Sequence, residues 1–280
     1  MEKAGNLTDV FGKSVKKISH IEVEIDGWST TLSSIVDNLL KQLRTSKFYG
    51  TAKNNKVLRS IKTKYDKSQY SKRQESVHIH GLKTLQIMKE AFAEIGHDFW
   101  LDYGTLLGSV REKDFIGHDK DLDIGTFNFD DTIKKKLESI LKAKGLKKYK
   151  QYEMDGKIFE EAYHYNGVHI DIFYYHKAEE NLIWCYFSEI GTKMEFENFP
   201  EYQLAKGYLT HKVVSHFDGL MDYEFKGDTF KIPINYHEYL VDNYGTTYMQ
   251  VRKDWSSGTE PTNITFVPTD SVTVREYIGN

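Results

Sequence analysis

The sequence holds a single cysteine, Cys185, in 280 residues. One cysteine excludes an internal disulfide framework and any zinc site built on cysteines within the chain. It sits in the apolar run Leu182-Ile183-Trp184-Cys185-Tyr186-Phe187, where an inert core thiol is expected. Prolines number four, and none marks a linker. No run approaches the roughly 18 apolar residues needed to cross a bilayer. No apolar stretch follows Met1-Glu2-Lys3-Ala4, so no secretory signal is expected. The cytoplasm is the expected compartment, with the inner face of the membrane as a candidate location. Internal repeats and low-complexity tracts are also missing.

What remains is the composition of a folded protein, 39% hydrophobic and 28% charged. Aromatics reach 14%, with 19 Tyr and 16 Phe, which serves either ring-stacking ligands or plain packing. The net charge of −3 hides an uneven spread. Residues 41–75 carry 11 Lys+Arg against 2 Asp+Glu, whereas residues 76–280 carry 23 against 33. A block this basic suits an anionic membrane touched through residues 41–73, another anionic polymer, or simply a solvated lysine-rich surface.

Periodicity divides the chain into an N-terminal basic, partly helical extension over 1–75 and a main domain over 76–280. In the extension, Leu32, Ile35, Val36, Leu39, Leu40 and Leu43 have helical spacing behind Ser29 or Thr30. His78 and His80 alternate on what reads as a short extended stretch. Leu82, Leu85, Met88, Phe92 and Ile95 share a helical face closed by Gly96. A short buried strand is expected at Phe99-Trp100-Leu101, a short helix over 106–111, a loop over 112–120 and a strand over 121–127. A capped helix follows, with Asp130 or Asp131 at its start and Gly145 at its end. Residues 146–175 read as two or three strands, with further strands at 182–187 and 193–197. A hairpin is expected around Gly227-Asp228 and a helix over 236–244. The fold class is α/β (α+β), a mixed sheet flanked by helices.

The chemistry concentrates in residues 103–123, YGTLLGSVREKDFIGHDKDLD. Asp119, Asp121 and Asp123 are spaced by two, so an extended chain turns Asp121 and Asp123 to one face and Leu122 and Ile124 to the other. Neighbouring carboxylates repel each other without a cation. Oxygen donors of this kind suit Mg²⁺ or Mn²⁺. Asp171, a charged residue in the alternating strand Val168-His169-Ile170-Asp171-Ile172-Phe173, supplies a candidate further ligand. The Gly104-Thr105 turn lets backbone approach a phosphate, and a helix start favours anions. Metal and phosphate cradle together are the basic parts of phosphoryl transfer. An Asp-x-Asp pair alone is more often structural; its position after strand, turn and helix is what singles it out.

The stretch FWLDYGTLLGSVREKDFIGHDKDLDIG at 99–125 resembles the signature of the LicD/fukutin family, within the nucleotidyltransferase-like superfamily. VHIDIFYY at 168–175 and IPINYHEYLVDNYGTTYM at 232–249 agree with it in order. The resemblance implies a nucleotidyltransferase-like fold for the catalytic domain at 76–280. It implies transfer of a phospho-alcohol, such as phosphocholine or a polyol phosphate, from a CDP-linked donor to a glycan hydroxyl, as in capsule or lipopolysaccharide assembly. It implies Mg²⁺ or Mn²⁺ held by Asp119, Asp121, Asp123 and Asp171. Many members carry a proline, a tryptophan and an acidic residue where this chain has Gly117, His118 and Lys120, which makes the local charge less negative.

On this reading Asp121, Asp123 and Asp171 are catalytic, and Asp171 either joins the metal or takes the proton of the acceptor hydroxyl. Gly104, Thr105, Gly108, Ser109, Arg111, Lys113 and His118 are candidates to hold the donor, the basic ones as phosphate ligands or as ordinary loop charge. Asp102 is either a base or a cap, and His169 a residue behind the metal. No nucleic acid partner is expected. Two other functions use the same residues: transfer of a nucleoside monophosphate to a small molecule or RNA, and a non-catalytic nucleotide- or glycan-binding scaffold. The donor alcohol, the acceptor sugar and the oligomeric state have no signature in the sequence.

Overall fold

The structure is a computed structural model that describes residues 56–179, 181–252 and 260–277. The chain divides into two compact units, Met1–Ser68 and Gln69–Asn280, and the second holds every described strand. The helix expected around residues 32–43, and the part of the basic block before residue 56, lie outside the described residues.

A 40-residue helix, α1 (Lys56–Ile95), runs unbroken through Ser76. His78 and His80 therefore lie on a helix, not on an extended stretch. Their alternation with Val77 and Ile79 imitates a strand, but Val77 is fully buried and Ile79 is 63% exposed. Val77 continues the helical stripe of Gly81, Leu85, Met88 and Phe92. Gly96, at φ +74°, ends the helix as expected.

The short strand β1 (Trp100–Leu101) then leads into α2 (Tyr103–Arg111). This helix starts three residues before the expected Leu106, because the Asp102 side chain accepts the Tyr103 N–H and caps it there. β2 (Asp121–Phe127), α3 (Asp131–Ala143) and the strands β3 (Lys147–Met154), β4 (Lys157–Tyr165) and β5 (Val168–Lys177) follow. Asp130 caps α3 by accepting from the N–H groups of Thr132 and Ile133. β6 (Leu182–Asn198) and β7 (Tyr202–His216) are long, and β7 has no counterpart in the sequence reading. The hairpin β8 (Leu220–Phe225) and β9 (Asp228–Pro233) forms its own two-stranded sheet. Its turn residues, Lys226 and Gly227, both have positive φ, as a tight two-residue hairpin turn requires. The helix α4 (Tyr236–Tyr244) matches the expected span, and β10 (Ile264–Val267) and β11 (Val272–Tyr277) complete the chain.

The large sheet is mixed, in the order β1-β2-β5-β4-β3-β11-β7-β10, with β6 bonded to both β5 and β7. The pairings β5–β4–β3–β11–β7–β6–β5 thus run in a ring. Every pair in the sheet is antiparallel except β2–β5. The main core joins α1, α2, α3 and α4 to the β2–β5 region through residues such as Leu85, Trp100, Leu137, Ile172 and Leu240. A smaller core forms around Tyr152, Phe159, Ala205, Tyr208, Val272 and Val274. Cys185 is buried and free, and burial pushes its thiol up to about 12, which bears out the inert reading. Among the described residues no helix is long and apolar enough to cross a membrane.

Candidate active site

The parallel pairing of β2 with β5 brings together residues 48 apart in sequence. Its register places Asp121 opposite His169 and Asp123 opposite Asp171. The aliphatic residues between them fix that register: Leu122, Ile124, Ile170 and Ile172 are all buried. A slip of one residue would exchange them for carboxylates on the core side. Asp121, Asp123, His169 and Asp171 alternate with them and are half-buried.

The start of α2 abuts the same strand. The Asp102 N–H donates to the Asp123 carbonyl (3.1 Å), the Gly104 N–H to Asp123 Oδ2 (3.3 Å), and the Asp123 N–H to Thr105 Oγ1 (2.8 Å). Thr105 therefore holds the strand rather than facing a ligand. A β-carbon at Gly104 would stand 2.7 Å from Asp119 Oδ2 and 3.5 Å from Asp123 Oδ2. Only glycine lets the two carboxylates close in here. Asp102 is fully buried and accepts from the hydroxyls of Tyr175 and Tyr239 at 2.8 Å each. Its position settles it as a cap and a strut, and burial raises it to about 6.

Charge accumulates across this face. Burial, then the charge of Asp121, raises both Asp119 and Asp171 to about 7. Asp123 is pushed well above the carboxylate range by burial and then by Asp121, Asp171, Asp119 and Asp102. Burial also raises Asp121, against the pull of Lys120 and Arg73. His169 goes the other way, down to about 3, through burial and the nearby charge of Arg73. The Tyr149 hydroxyl donates to Asp171 Oδ1 at 3.4 Å. Among the described residues no three His, Cys, Asp or Glu side chains converge tightly enough to cage an ion by themselves. Mg²⁺ does not demand such a cage, since it commonly uses one or two carboxylates with water and substrate phosphate. Hard oxygen donors that repel each other in a half-buried cleft fit a divalent cation of this kind.

Beside Gly104 and Asp119 lies a cavity of about 130 Å³, also lined by Arg111, His118, Tyr248 and Arg252. Arg111 donates through Nη1 to the Tyr248 carbonyl (3.2 Å) and through Nη2 to Glu112 (2.7 Å), while its Nε is buried without an acceptor. Arg252 forks onto Glu260 at 2.6 and 3.2 Å. Arg111 and His118 thus stand at the cavity. Lys113 does not: it donates to the Tyr223 hydroxyl (2.6 Å) beside the β8–β9 hairpin. Gly108 and Ser109 do not line the cavity either. Gly108 packs where a β-carbon would meet the Asp114 carbonyl at 2.7 Å, and Ser109 Oγ donates to the Leu106 carbonyl. The sequence reading missed Tyr149, Tyr248 and Arg252. No local pattern marks them, because β3 and the segment after α4 reach the site only through the fold.

Residues 96–206 match the family model described as LicD/FKTN/FKRP, nucleotidyltransferase domain, which bears out the resemblance carried by residues 99–125. Ribitol-5-phosphate transferase FKTN of Mus musculus is 26% identical over 182 residues, covering 64% of this chain and 35% of that protein. The Homo sapiens protein of the same name is 25% identical over the same shares. An uncharacterized protein of Rickettsia typhi is 28% identical over 122 residues, 42% of this chain and 36% of its own. The matches thus cover about a third of the length of these curated relatives.

Proposed function

We propose, from the premise that residues 96–206 match a LicD/FKTN/FKRP nucleotidyltransferase domain, that the protein transfers a phospho-alcohol from a CDP-activated donor to a hydroxyl of a glycan or its precursor. The observation that carries this reading is the register of Asp123 with Asp171 beside Gly104. It sets carboxylates against a backbone opening and a cavity lined by arginines. The named relatives, ribitol-5-phosphate transferases, support an alcohol phosphate as the group moved.

Asp121 and Asp123, with Asp119 beside them, would hold Mg²⁺ or Mn²⁺. Such an ion supplies charge neutralisation at the donor's phosphate oxygens. The rest falls to the chain's own groups. Arg111 lines the cavity and binds a donor phosphate oxygen there. Gly104 keeps the approach to the carboxylates open. Asp171, raised to about 7 and bonded by the Tyr149 hydroxyl, takes the proton of the acceptor hydroxyl as that oxygen bonds to the phosphorus of the phospho-alcohol, whose bond to the CMP oxygen breaks so that CMP leaves.

The test is donor turnover by the purified full chain with Mg²⁺ or Mn²⁺ and a panel of CDP-alcohols and nucleoside triphosphates. CMP release that requires metal and vanishes in Asp121→Ala and Asp123→Ala is the expected result. Pyrophosphate release would instead make the protein a nucleotidyltransferase. Absence of both, with no nucleotide bound in either metal, would remove the enzymatic reading.

A further inference from the structure

The family-matched segment begins at residue 96, yet one face of α1 reaches the site from before it. Tyr70, Arg73 and Gln74 are spaced i, i+3, i+4 and so share that face. The Tyr70 hydroxyl donates to the His118 carbonyl at 2.7 Å, and Gln74 Nε2 reaches the Gly117 carbonyl at 3.4 Å. These two bonds tie the helix to the loop that carries Asp119.

Arg73 stands between the two ties. Its charge acts on Asp121, Asp171, Tyr149 and His169. Among the described residues it has no ion-pair partner within 4.0 Å, although other basic residues of the same unit, such as Lys89, Lys144 and Lys148, are paired. A half-buried guanidinium on the helix face tied to the Asp119 loop, with no ion-pair partner among the described residues, has donors to offer another anion. Planar forked donors of this type match phosphate oxygens.

We propose that the Tyr70–Arg73–Gln74 face of α1 forms a wall of the active site and that Arg73 binds a phosphate oxygen of the donor's diphosphate. The choice of diphosphate rests on the transferase reading above; the anion site itself does not. Arg73 and Arg111 would then contact the diphosphate from different elements, α1 and α2. The bonds from Tyr70 and Gln74 would set the loop so that Asp119 and Arg73 keep their spacing.

The experiment is calorimetric titration of the full chain with inorganic pyrophosphate and Mg²⁺, comparing wild type with Arg73→Gln and Arg73→Lys, each checked by thermal melting. Pyrophosphate binding needs neither the right alcohol nor turnover, so this result is separable from failure of the transferase reading. Arg73→Gln is expected to weaken binding about tenfold or more, and Arg73→Lys less, with melting temperatures held. Wild-type affinity in Arg73→Gln, or no pyrophosphate binding by the wild type, overturns the proposal. If Arg73→Gln unfolds, Arg73→Lys decides: weakened binding by a folded variant supports the site, and unchanged binding overturns it. With a donor that turns over, Arg73→Gln should raise KM more than it lowers kcat, whereas a merely structural role would lower the active fraction and leave KM alone.

Discussion

Tyr239 on α4 donates its hydroxyl to Asp102 Oδ1 at 2.8 Å, across 137 positions of sequence. Tyr175 on β5 serves the other oxygen at 2.8 Å, and the two hydroxyls lie 2.9 Å apart. Asp102 thereby ties the turn before Gly104 to both β5 and α4. Tyr239→Phe would leave Oδ1 with the Tyr103 N–H alone, losing one hydrogen bond to a buried carboxylate at a cost of about 1–3 kcal/mol. A lower chemical-denaturation midpoint is expected, together with a loss of turnover larger than the unfolded fraction explains. Turnover that simply follows the folded fraction would make the link purely structural.

Gly104→Ala tests the opening between the carboxylates. The added carbon would meet Asp119 Oδ2 at 2.7 Å, and a carboxylate at the end of a loop can swing away. Stability should therefore change by less than about 1 kcal/mol, while turnover falls about tenfold or more through the displaced Asp119. Measuring kcat beside a melting curve separates the two. A variant with full activity would exclude Asp119 from the working site.

Gly108→Ala is the contrasting case. Sequence reading grouped Gly108 with the donor-binding residues, but its neighbours are the Asp114 carbonyl at 2.7 Å and the Ile116 nitrogen at 3.0 Å. Backbone cannot yield as a flexible side chain does, so this variant should lose about 1–3 kcal/mol. Its activity per folded molecule should stay near wild type. Urea unfolding and an activity assay corrected for folded fraction give both numbers.

What was legible in the sequence follows from local chemistry. β2 and β5 were readable because Leu122, Ile124, Ile170 and Ile172 alternate with polar residues, and α4 because Gly245 ends it. The three strands between 146 and 175 were readable as an alternation, although not as a count. Their parallel and antiparallel partners were not, since pairing between β2 and β5 is decided by packing across 48 residues. β7 escaped because Lys206, Gly207 and His211 interrupt its apolar pattern, while its partners β6 and β11 supply the order. Tyr248 and Arg252 escaped for a related reason, as they lie beyond α4 and only the fold brings them to the cavity that Arg111 also lines. Asp102 was noticed beside the Gly-Thr turn, but only its two tyrosine donors identify it as a strut.

His216 offers a pH test away from the site. Its Nδ1 lies 3.0 Å from Asp242 Oδ2, with Glu238 and Asp218 also near, and the Asp242 hydrogen bond raises its pKa above 6.5. The folded state therefore binds the proton more tightly than the unfolded state. The resulting stability is fully present below pH 6.5 and is lost as pH rises through the higher folded value. Half of the side chain is exposed, so the increment should stay below about 1 kcal/mol. The melting difference between wild type and His216→Gln should be larger at pH 5.5 than at pH 9. An equal difference at both values would mean that the bond does not depend on the proton.

Asp123→Asn separates stability from function at the centre of the site. Asp123 is crowded by Asp121, Asp171, Asp119 and Asp102, and that crowding and burial push it well above the usual carboxylate range. An asparagine keeps an oxygen for the Gly104 N–H and is neutral without having to take up a proton on folding. Without added metal, the variant should melt a few degrees higher than wild type, by roughly 2–4 °C per kcal/mol of relief for a chain of this size. Addition of Mg²⁺ should raise the wild type and move the variant little, because the ligand that gains from the ion is gone. Turnover should vanish in the variant under all conditions. A lower melting temperature without metal would mean that the charge of Asp123 is already balanced inside the protein, and the carboxylate cluster would then not need a cation to be stable.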